Sequence, residues 1–379
     1  MRFVLLMGVT SLFADMTYEG GRSEIGALLQ HLNASGAVVG IVAGAAEMAG
    51  YAIRSVSGAV ADRTGRYWIH AWAGYALNML CVPALALAGS WPAAAGLIVG
   101  ERIGRGIRRP VVSAALREAG EAIGHGRAFG FYEFLDQTGA TVGPLIVAFA
   151  IARTGSFSVG FGVLIVPALV TLGWLVPASA AGGALVPQHR TQTGPALREP
   201  RAFWLNAAGG ALVAAGYADF ALIAFRFQRD RIVSTPAIAV WFAVAMAVAA
   251  ISAPILGRLF DRFGRVTIAA ALVVTAAAVP MAFLGSAWLA KTGAALWGLG
   301  TAVQDSLLLA LVASAIARRV ATAYGTYDLV FGVAWFAGSV LLGTLLDRSA
   351  VALAAVSAGL QLAAIPVLLY ARTEKTVAR

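Results

Sequence analysis

The chain has 379 residues, of which 60% are hydrophobic and 12% charged, with a mean hydropathy of +0.80. A soluble domain carries about 25% charged residues, so this composition excludes an ordinary water-facing domain. The net charge of +10 gathers at the ends of apolar runs, which points to membrane topology rather than to a nucleic-acid partner.

Apolar runs of about 20 residues predict an all-α membrane protein of about twelve spans, at 3–31, 36–60, 68–89, 92–112, 128–152, 156–179, 202–228, 235–259, 266–287, 290–314, 322–346 and 349–371. The alternating segments of a β-barrel are absent. The first run is too long for a signal peptide and is kept as the first span. The sequences "NASG", "GSWPA", "RTGS" and "LDRS" read as turns between spans. The longest polar interruption, residues 180–201, reads as a linker between a six-helix half at 1–179 and another at 202–379. Arginines concentrate on the side that holds both termini and this linker, with Arg2, Arg63, Arg66, Arg108 and Arg109 among them. Arg153, Arg226, Arg229 and Arg231 fall on the other side. The bias predicts a multi-pass protein of the cell (inner) membrane with both termini cytoplasmic.

Ionisable residues inside spans need a partner or a wet cavity. The first span carries "DMTYEGGRSE", in which Asp15, Glu19 and Arg22 stand at i, i+4 and i+7 and share one helix face. Glu19 and Arg22 are placed to pair. Gly20 and Gly21 suit close packing or a bend. Glu47 and Arg54 follow in the second span, Glu101, Arg102 and Arg105 in the fourth, and Glu133 and Asp136 in the fifth. Asp219, Asp305 and Asp328 are the acids of the later spans. Burial moves a carboxylate's titration towards neutrality, which is what proton coupling requires. The alternative is that each arginine neutralises a glutamate and the pairs lock the packing.

The two halves repeat. "GAVADRTGR" at 58–66 matches "GRLFDRFGR" at 257–265, and Tyr18 stands at the same offset from Tyr217. Duplicated six-helix units are a common build for alternating-access carriers. Gly58, Asp62, Arg63, Gly65 and Arg66, with Gly257, Asp261, Arg262, Gly264 and Arg265, form a doubled G-x-x-x-D-R-x-G-R pattern. This pattern resembles the loop signature of the major facilitator superfamily. "RIGRGI" at 102–107 is similar to that family's fourth-helix pattern, with Arg105 where many members carry Gln. "GATVGP" at 139–144 resembles its fifth-helix antiporter motif, although Val147 and Ala148 replace the glycine pair that usually follows.

The resemblance implies two pseudo-symmetric six-helix bundles around a cavity lined by the first, fourth, seventh and tenth helices. Asp15, Tyr18, Glu19, Arg22, Glu101, Arg102, Arg105, Tyr217, Asp219 and Asp305 are then candidates for solute binding and proton coupling. The doubled loop motif implies a cytoplasmic latch. Arg54 and Asp328 lie at similar depth on helices that pack across the halves in this family, and are expected to form an inter-half gate. Pairing of Arg54 with Glu133 or Asp136 is the alternative.

The four histidines are scattered and Cys81 stands alone, so no metal-ligand spacing occurs. No P-loop or nucleophile elbow is present, so neither an enzyme nor a cofactor is expected. The expected function is secondary transport by alternating access, with proton-coupled export of a small organic solute suggested by the fifth-span motif. The alternatives are uptake of an anionic solute held by Arg22, Arg102 and Arg105, and a non-transporting scaffold or sensor. The expected partners are the solute, protons and the lipid bilayer, and the chain is expected to act as a monomer.

Overall fold

A computed structural model describes residues 2–123, 125–183, 201–315 and 320–371, and among them there are helices and turns but no strand. Residues 184–200, most of the expected linker, lie outside the described residues.

The first predicted span is two helices, α1 (Arg2–Arg22) and α2 (Ile25–His31). Gly20 and Gly21 weaken the helix before the break. Ser23 then turns its hydroxyl back onto the Gly20 carbonyl at 2.7 Å, satisfying an acceptor the helix end would orphan. Next comes α3 (Gly36–Thr64), which starts on Ser35, whose hydroxyl accepts from Val38 N–H at 3.2 Å. It stops at Gly65, whose φ of +63° only a residue without Cβ adopts freely. The chain continues through α4 (Tyr67–Ala84), a short 3-10 turn, α5 (Trp91–Ile123), α6 (His125–Thr154), α7 (Phe157–Gly162) and α8 (Ile165–Gly182).

The second half of the chain repeats the plan. Its first crossing is again broken, into α9 (Arg201–Gly216) and α10 (Phe220–Arg229). The rest are α11 (Thr235–Phe263), α12 (Arg265–Leu284), α13 (Ala287–Ala302), a π-helical stretch Val303–Leu308, α14 (Leu309–Ala315), α15 (Val320–Arg348) and α16 (Ala350–Tyr370). Gly264 ends α11 with φ +60°, as Gly65 ends α3.

Ten helices among the described residues are long and apolar enough to cross a membrane. Two of the twelve expected spans, α1 with α2 and α5, miss that mark because charged and polar side chains interrupt them. The fourth expected span also ends too early: α5 runs to Ile123, eleven residues past the expected limit of 112. Arg108, counted among the cytoplasmic arginines although it falls inside that expected span, is a helical residue of α5 and only 5% exposed.

Contacts between Phe3, Trp68 and Gly182, and between Arg201 and Tyr370, gather the two chain termini and both flanks of the linker at one end, the terminal end. Helices α1 and α6 run parallel, and α3 and α15 antiparallel. Both pairs use small residues to bring backbones together, as membrane helices do. A Cβ on Gly139 or Gly143 of α6 would strike the carbonyl oxygen of Leu12 or Met16 on α1. Gly40 and Gly343 make the same close approach between α3 and α15.

The halves of the chain meet firmly at the end opposite the termini. Asp347 at the foot of α15 accepts from the Gly36 and Ala37 N–H groups of α3, both at 2.8 Å. Gly26 of α2 lies against the Ala221 carbonyl of α10. Towards the terminal end the interior opens. Arg109 of α5, Glu133 of α6 and Asp305 of the π-helical stretch are exposed there, and Glu133 feels the charges of the other two.

Candidate functional site

The interior of the first half holds a charge network built by helical spacing. On α1 the 15, 19 and 22 positions face one way. On α5 the row 101, 102, 105 and 108 does the same. The close approach that aims this row comes from its glycines. Gly104 lies against the backbone of Gly74 and Asn78 on α4, and Gly106 against Gly50 on α3. With its back seated, α5 presents its arginines to α1 and α3.

Arg102 is held tightly, with Glu47 of α3 at 2.9 Å and Glu101 at 3.1 Å. Asn78 steadies Glu101 from α4 at 2.6 Å. Arg105 lies 3.9 Å from the ring centre of Tyr18, and Arg102 lies 4.7 Å away, so Tyr18 is covered by two guanidinium groups. Arg105 also reaches Glu19 at 4.0 Å. Deeper towards the terminal end, Arg108 pairs with Asp15 at 3.7 Å and lies 4.5 Å over Tyr75. Ser11 links Tyr132, at 2.8 Å, to Asp136 by a short hydrogen bond.

Arg22 is held differently. It is shared among Glu19 at 3.6 Å, Glu47 at 3.8 Å and Asp219 at 3.9 Å, and none of these is a hydrogen-bond distance. Its third partner belongs to the second half of the chain. Asp219 occupies the break between α9 and α10, where its other oxygen accepts from Ala221 N–H at 2.9 Å and caps α10. Next to it, Tyr217 stacks on Trp297 with ring centres 5.2 Å apart and donates to the Trp297 carbonyl at 2.6 Å. The Trp297 indole donates to the Ala218 carbonyl at 2.8 Å. Arg22 faces the rings of Trp297 and Phe242 at 5.8 and 6.0 Å. Two broken helices thus meet through one arginine.

Among the described residues, Asp15, Glu19, Glu47, Glu101, Asp136 and Asp219 surround Arg22, Arg102, Arg105 and Arg108. Removing such charges from water costs several kcal/mol per ion, and the carboxylates outnumber the cations.

Of the expected cavity residues, Asp15, Tyr18, Glu19, Arg22, Glu101, Arg102, Arg105 and Asp219 come together in this network. Tyr217 adjoins it through Trp297. Asp305 stands apart, exposed on the π-helical stretch. Glu47, Arg108, Asp136 and Asn78 belong to the cluster but not to the expected set. Arg108 was legible as the next member of the row 101, 105, 108, while Glu47 has its partners only on other helices.

Arg54 and Asp328 lie 3.6 Å apart, and Arg54 also covers the Tyr51 ring at 4.8 Å. The expected latch is less uniform. Arg63, Arg66, Asp261 and Arg262 are exposed, and Gly65 and Gly264 serve as helix stops. Arg265 ties α12 to Asn206 of α9 at 2.9 Å and to the Leu368 carbonyl of α16 at 2.5 Å. Among the described residues Gly58 has only Pro110 near it, at 3.5 Å, and Gly257 faces open space, so neither glycine brings two helix backbones together there. The Asp62 side chain lies outside the described residues.

Comparison with known proteins agrees with this architecture. The family model of the Major Facilitator Superfamily matches residues 5–339. An uncharacterized protein of Mycobacterium tuberculosis is 37% identical over 375 residues, which is 96% of this chain and 91% of that protein. Among solved structures, a bacterial homolog to the human lysosomal transporter Spinster, in an inward-facing and unoccupied conformation, superposes with TM-score 0.70 at 15% identity over 98% of this chain and 95% of that one. The peptide transporter POT in complex with sulfate gives 0.75 at 14% identity over 97% and 94%. The nucleoside transporter NupG gives 0.72 at 10% identity over 98% and 99%. An all-helical chain with membrane-crossing helices, a doubled loop motif and a family match over most of its length belongs to the Major Facilitator Superfamily of transporters.

Proposed function

We propose that the chain is a proton-coupled secondary transporter of a small organic solute, working by alternating access between halves 1–179 and 202–379. The observation that carries this reading is the position of Arg22, shared at 3.6 to 3.9 Å by Glu19, Glu47 and Asp219. A cation held by three carboxylates and hydrogen-bonded to none moves among them at low cost. Protonation of Glu19 or Asp219 removes one claim on it and loosens the link between the halves. Solute entering from the open end then competes for the same groups.

The arginine bias makes the terminal end cytoplasmic, so the open interior faces the cytoplasm. Arg54 with Asp328 serves as a gate between the halves, and the exposed loop motifs serve as a latch that engages when the terminal end closes. The unit is a monomer. An anion clamp is the weaker reading, because Arg22, Arg102 and Arg105 each already face a carboxylate. Gly139 and Gly143 seat α1, which gives the fifth-span motif a packing role. Coupling, not direction, is therefore the core of the proposal.

The test is flux into proteoliposomes under an imposed pH gradient, for a panel of peptides, nucleosides and lipophilic amines. The gradient should accelerate movement of at least one class. Glu19→Gln and Asp219→Asn should abolish that acceleration and spare solute exchange at equal pH. Flux indifferent to the gradient in the wild-type chain would sink the reading.

A further inference from the structure

Glu24 occupies the break between α1 and α2 and is 0% exposed. It stands at the N-cap position of α2, but its side chain makes no cap hydrogen bond to that helix. It crosses instead to the second half of the chain, where one carboxyl oxygen accepts from Ala239 N–H of α11 at 3.1 Å. The other oxygen is buried with no hydrogen-bond partner.

Among the described residues no cation lies within ion-pair distance of it; His31 of α2 lies against the Phe157 ring, Arg231 before α11 is exposed, and the following charged groups have contacts of their own. Arg22 of α1 is held by Glu19, Glu47 and Asp219. Glu47 of α3 is held by Arg102. Arg226 of α10 pairs with Asp230 at 3.2 Å and also donates to the Ala282 carbonyl. Arg153 of α6 lies over Phe149. Ala239 is the fifth residue of α11, beyond the first turn where a helix end attracts an anion. The carboxyl therefore lacks countercharge, solvent exposure and helix-end field together, and an isolated ionised carboxylate does not persist in such a place.

We infer that Glu24 is a second proton-binding site, at the seam that closes the end opposite the termini, and that it holds a proton while that seam is shut. Opening the seam wets the carboxyl and releases the proton as hydronium to the water at that end. Closing takes one back from the same water, so the site senses the pH on one side and carries no proton across. A ligand that binds only the shut form favours it. Low pH at that end therefore holds the seam closed, and high pH lets it open. One linked proton changes the ratio of open to shut by up to about tenfold per pH unit.

This goes beyond the coupling proposed for Glu19 and Asp219, which concerns a gradient; the seam responds to pH that is equal on both sides. The test attaches spin labels at Ser158→Cys and Ser234→Cys, exposed residues on the two sides of the seam, in a Cys81→Ser background. Pulsed distance measurements then run from about pH 5 to about pH 9. The wild-type side chain should give a long-distance population that grows with pH. Glu24→Gln, a fixed mimic of the protonated form, should stay short throughout, and Glu24→Asp should retain the response. A Glu24→Gln protein that tracks the wild type overturns the inference. So does a wild-type protein with no pH response, which settles the matter even if Glu24→Gln fails to fold. Gradient-driven flux is read separately. Its absence beside an intact seam response refutes proton-coupled transport alone, and its presence beside a Glu24→Gln protein that tracks the wild type refutes the seam site alone.

Discussion

Arg22 on α1 and Asp219 at the start of α10 face each other across the two halves of the chain at 3.9 Å. Asp219 divides its work: Oδ2 faces the arginine, while Oδ1 caps α10 through Ala221 N–H at 2.9 Å. The two roles separate by substitution. Asparagine caps a helix about as well as aspartate, so Asp219→Asn removes the charge alone, whereas Asp219→Ala removes charge and cap. Thermal unfolding in detergent should place the alanine variant about 1 kcal/mol below the asparagine variant. Both should lose gradient-driven flux to a similar degree. Equal stability of the two would mean the cap is unimportant, and retained flux in the asparagine variant would mean the charge is.

The two interior arginines next to Glu47 differ in grip. Arg102 sits at 2.9 and 3.1 Å from its carboxylates, and Arg22 no nearer than 3.6 Å to any of its own. Truncating one member of a tight buried pair leaves the other uncompensated and costs about 3 to 5 kcal/mol. Arg102→Ala should therefore unfold near or below room temperature or fail to accumulate, while Arg22→Ala accumulates and loses coupled transport. The measurement is the melting temperature of purified protein beside flux. An Arg22→Ala protein as unstable as Arg102→Ala would contradict the view of Arg22 as a loosely held, movable charge.

The fold class was legible because a bilayer demands long apolar helices, and nothing in water would tolerate ten of them. Helix ends were less legible. Hydropathy reports where apolar side chains stop, not where the helix stops. At 33 residues, α5 is about 50 Å long, against a hydrocarbon core of about 30 Å. Arg108, near the cytoplasmic limit of the expected span, lies well inside this longer helix and faces Asp15. The break at residues 23–24 was hidden for the opposite reason, since apolar sequence flanks it on both sides and only the Gly20 and Gly21 pair hinted at it. Glu47 shows a third limit. Its partners Arg102 and Arg22 come from α5 and α1, so helical spacing along α3 carries no trace of them. The row on α1 was legible because both ends of its logic, Asp15 and Arg22, sit on one helix.

Gly143 of α6 offers a test of what the fifth-span motif is for. A Cβ there would strike the Met16 carbonyl, and α1 cannot retreat without dragging Asp15 and Glu19 away from Arg108 and Arg105. Overpacking of this kind costs about 1 to 3 kcal/mol. Gly143→Ala should lower the melting temperature, and Gly143→Val should lower it further, with flux per folded molecule falling in the same order. A Gly143→Val protein of wild-type stability that has lost transport in one direction only would restore the directional meaning of the motif.

The pair formed by Arg54 and Asp328 gives the sharpest test of how the halves engage. The two side chains lie 3.6 Å apart on α3 and α15, helices whose small residues bring their backbones into contact along most of their length. Both are partly exposed to the open interior, so solvent screens the attraction and the pair contributes about 1 kcal/mol or less to stability. Its weight is therefore conformational. Arg54→Asp places two negative charges together, and Asp328→Arg two positive ones. Each should cut flux severely while leaving the melting temperature nearly unchanged. The double exchange, with both substitutions in one chain, restores opposite charges at the same separation and should recover most of the flux. Recovery is expected to be incomplete because the reversed arginine can no longer cover Tyr51 from α3, where the native guanidinium sits 4.8 Å from the ring centre. A double variant as inactive as either single one would show that Arg54 and Asp328 act separately, and the gate would have to be sought elsewhere along α3 and α15.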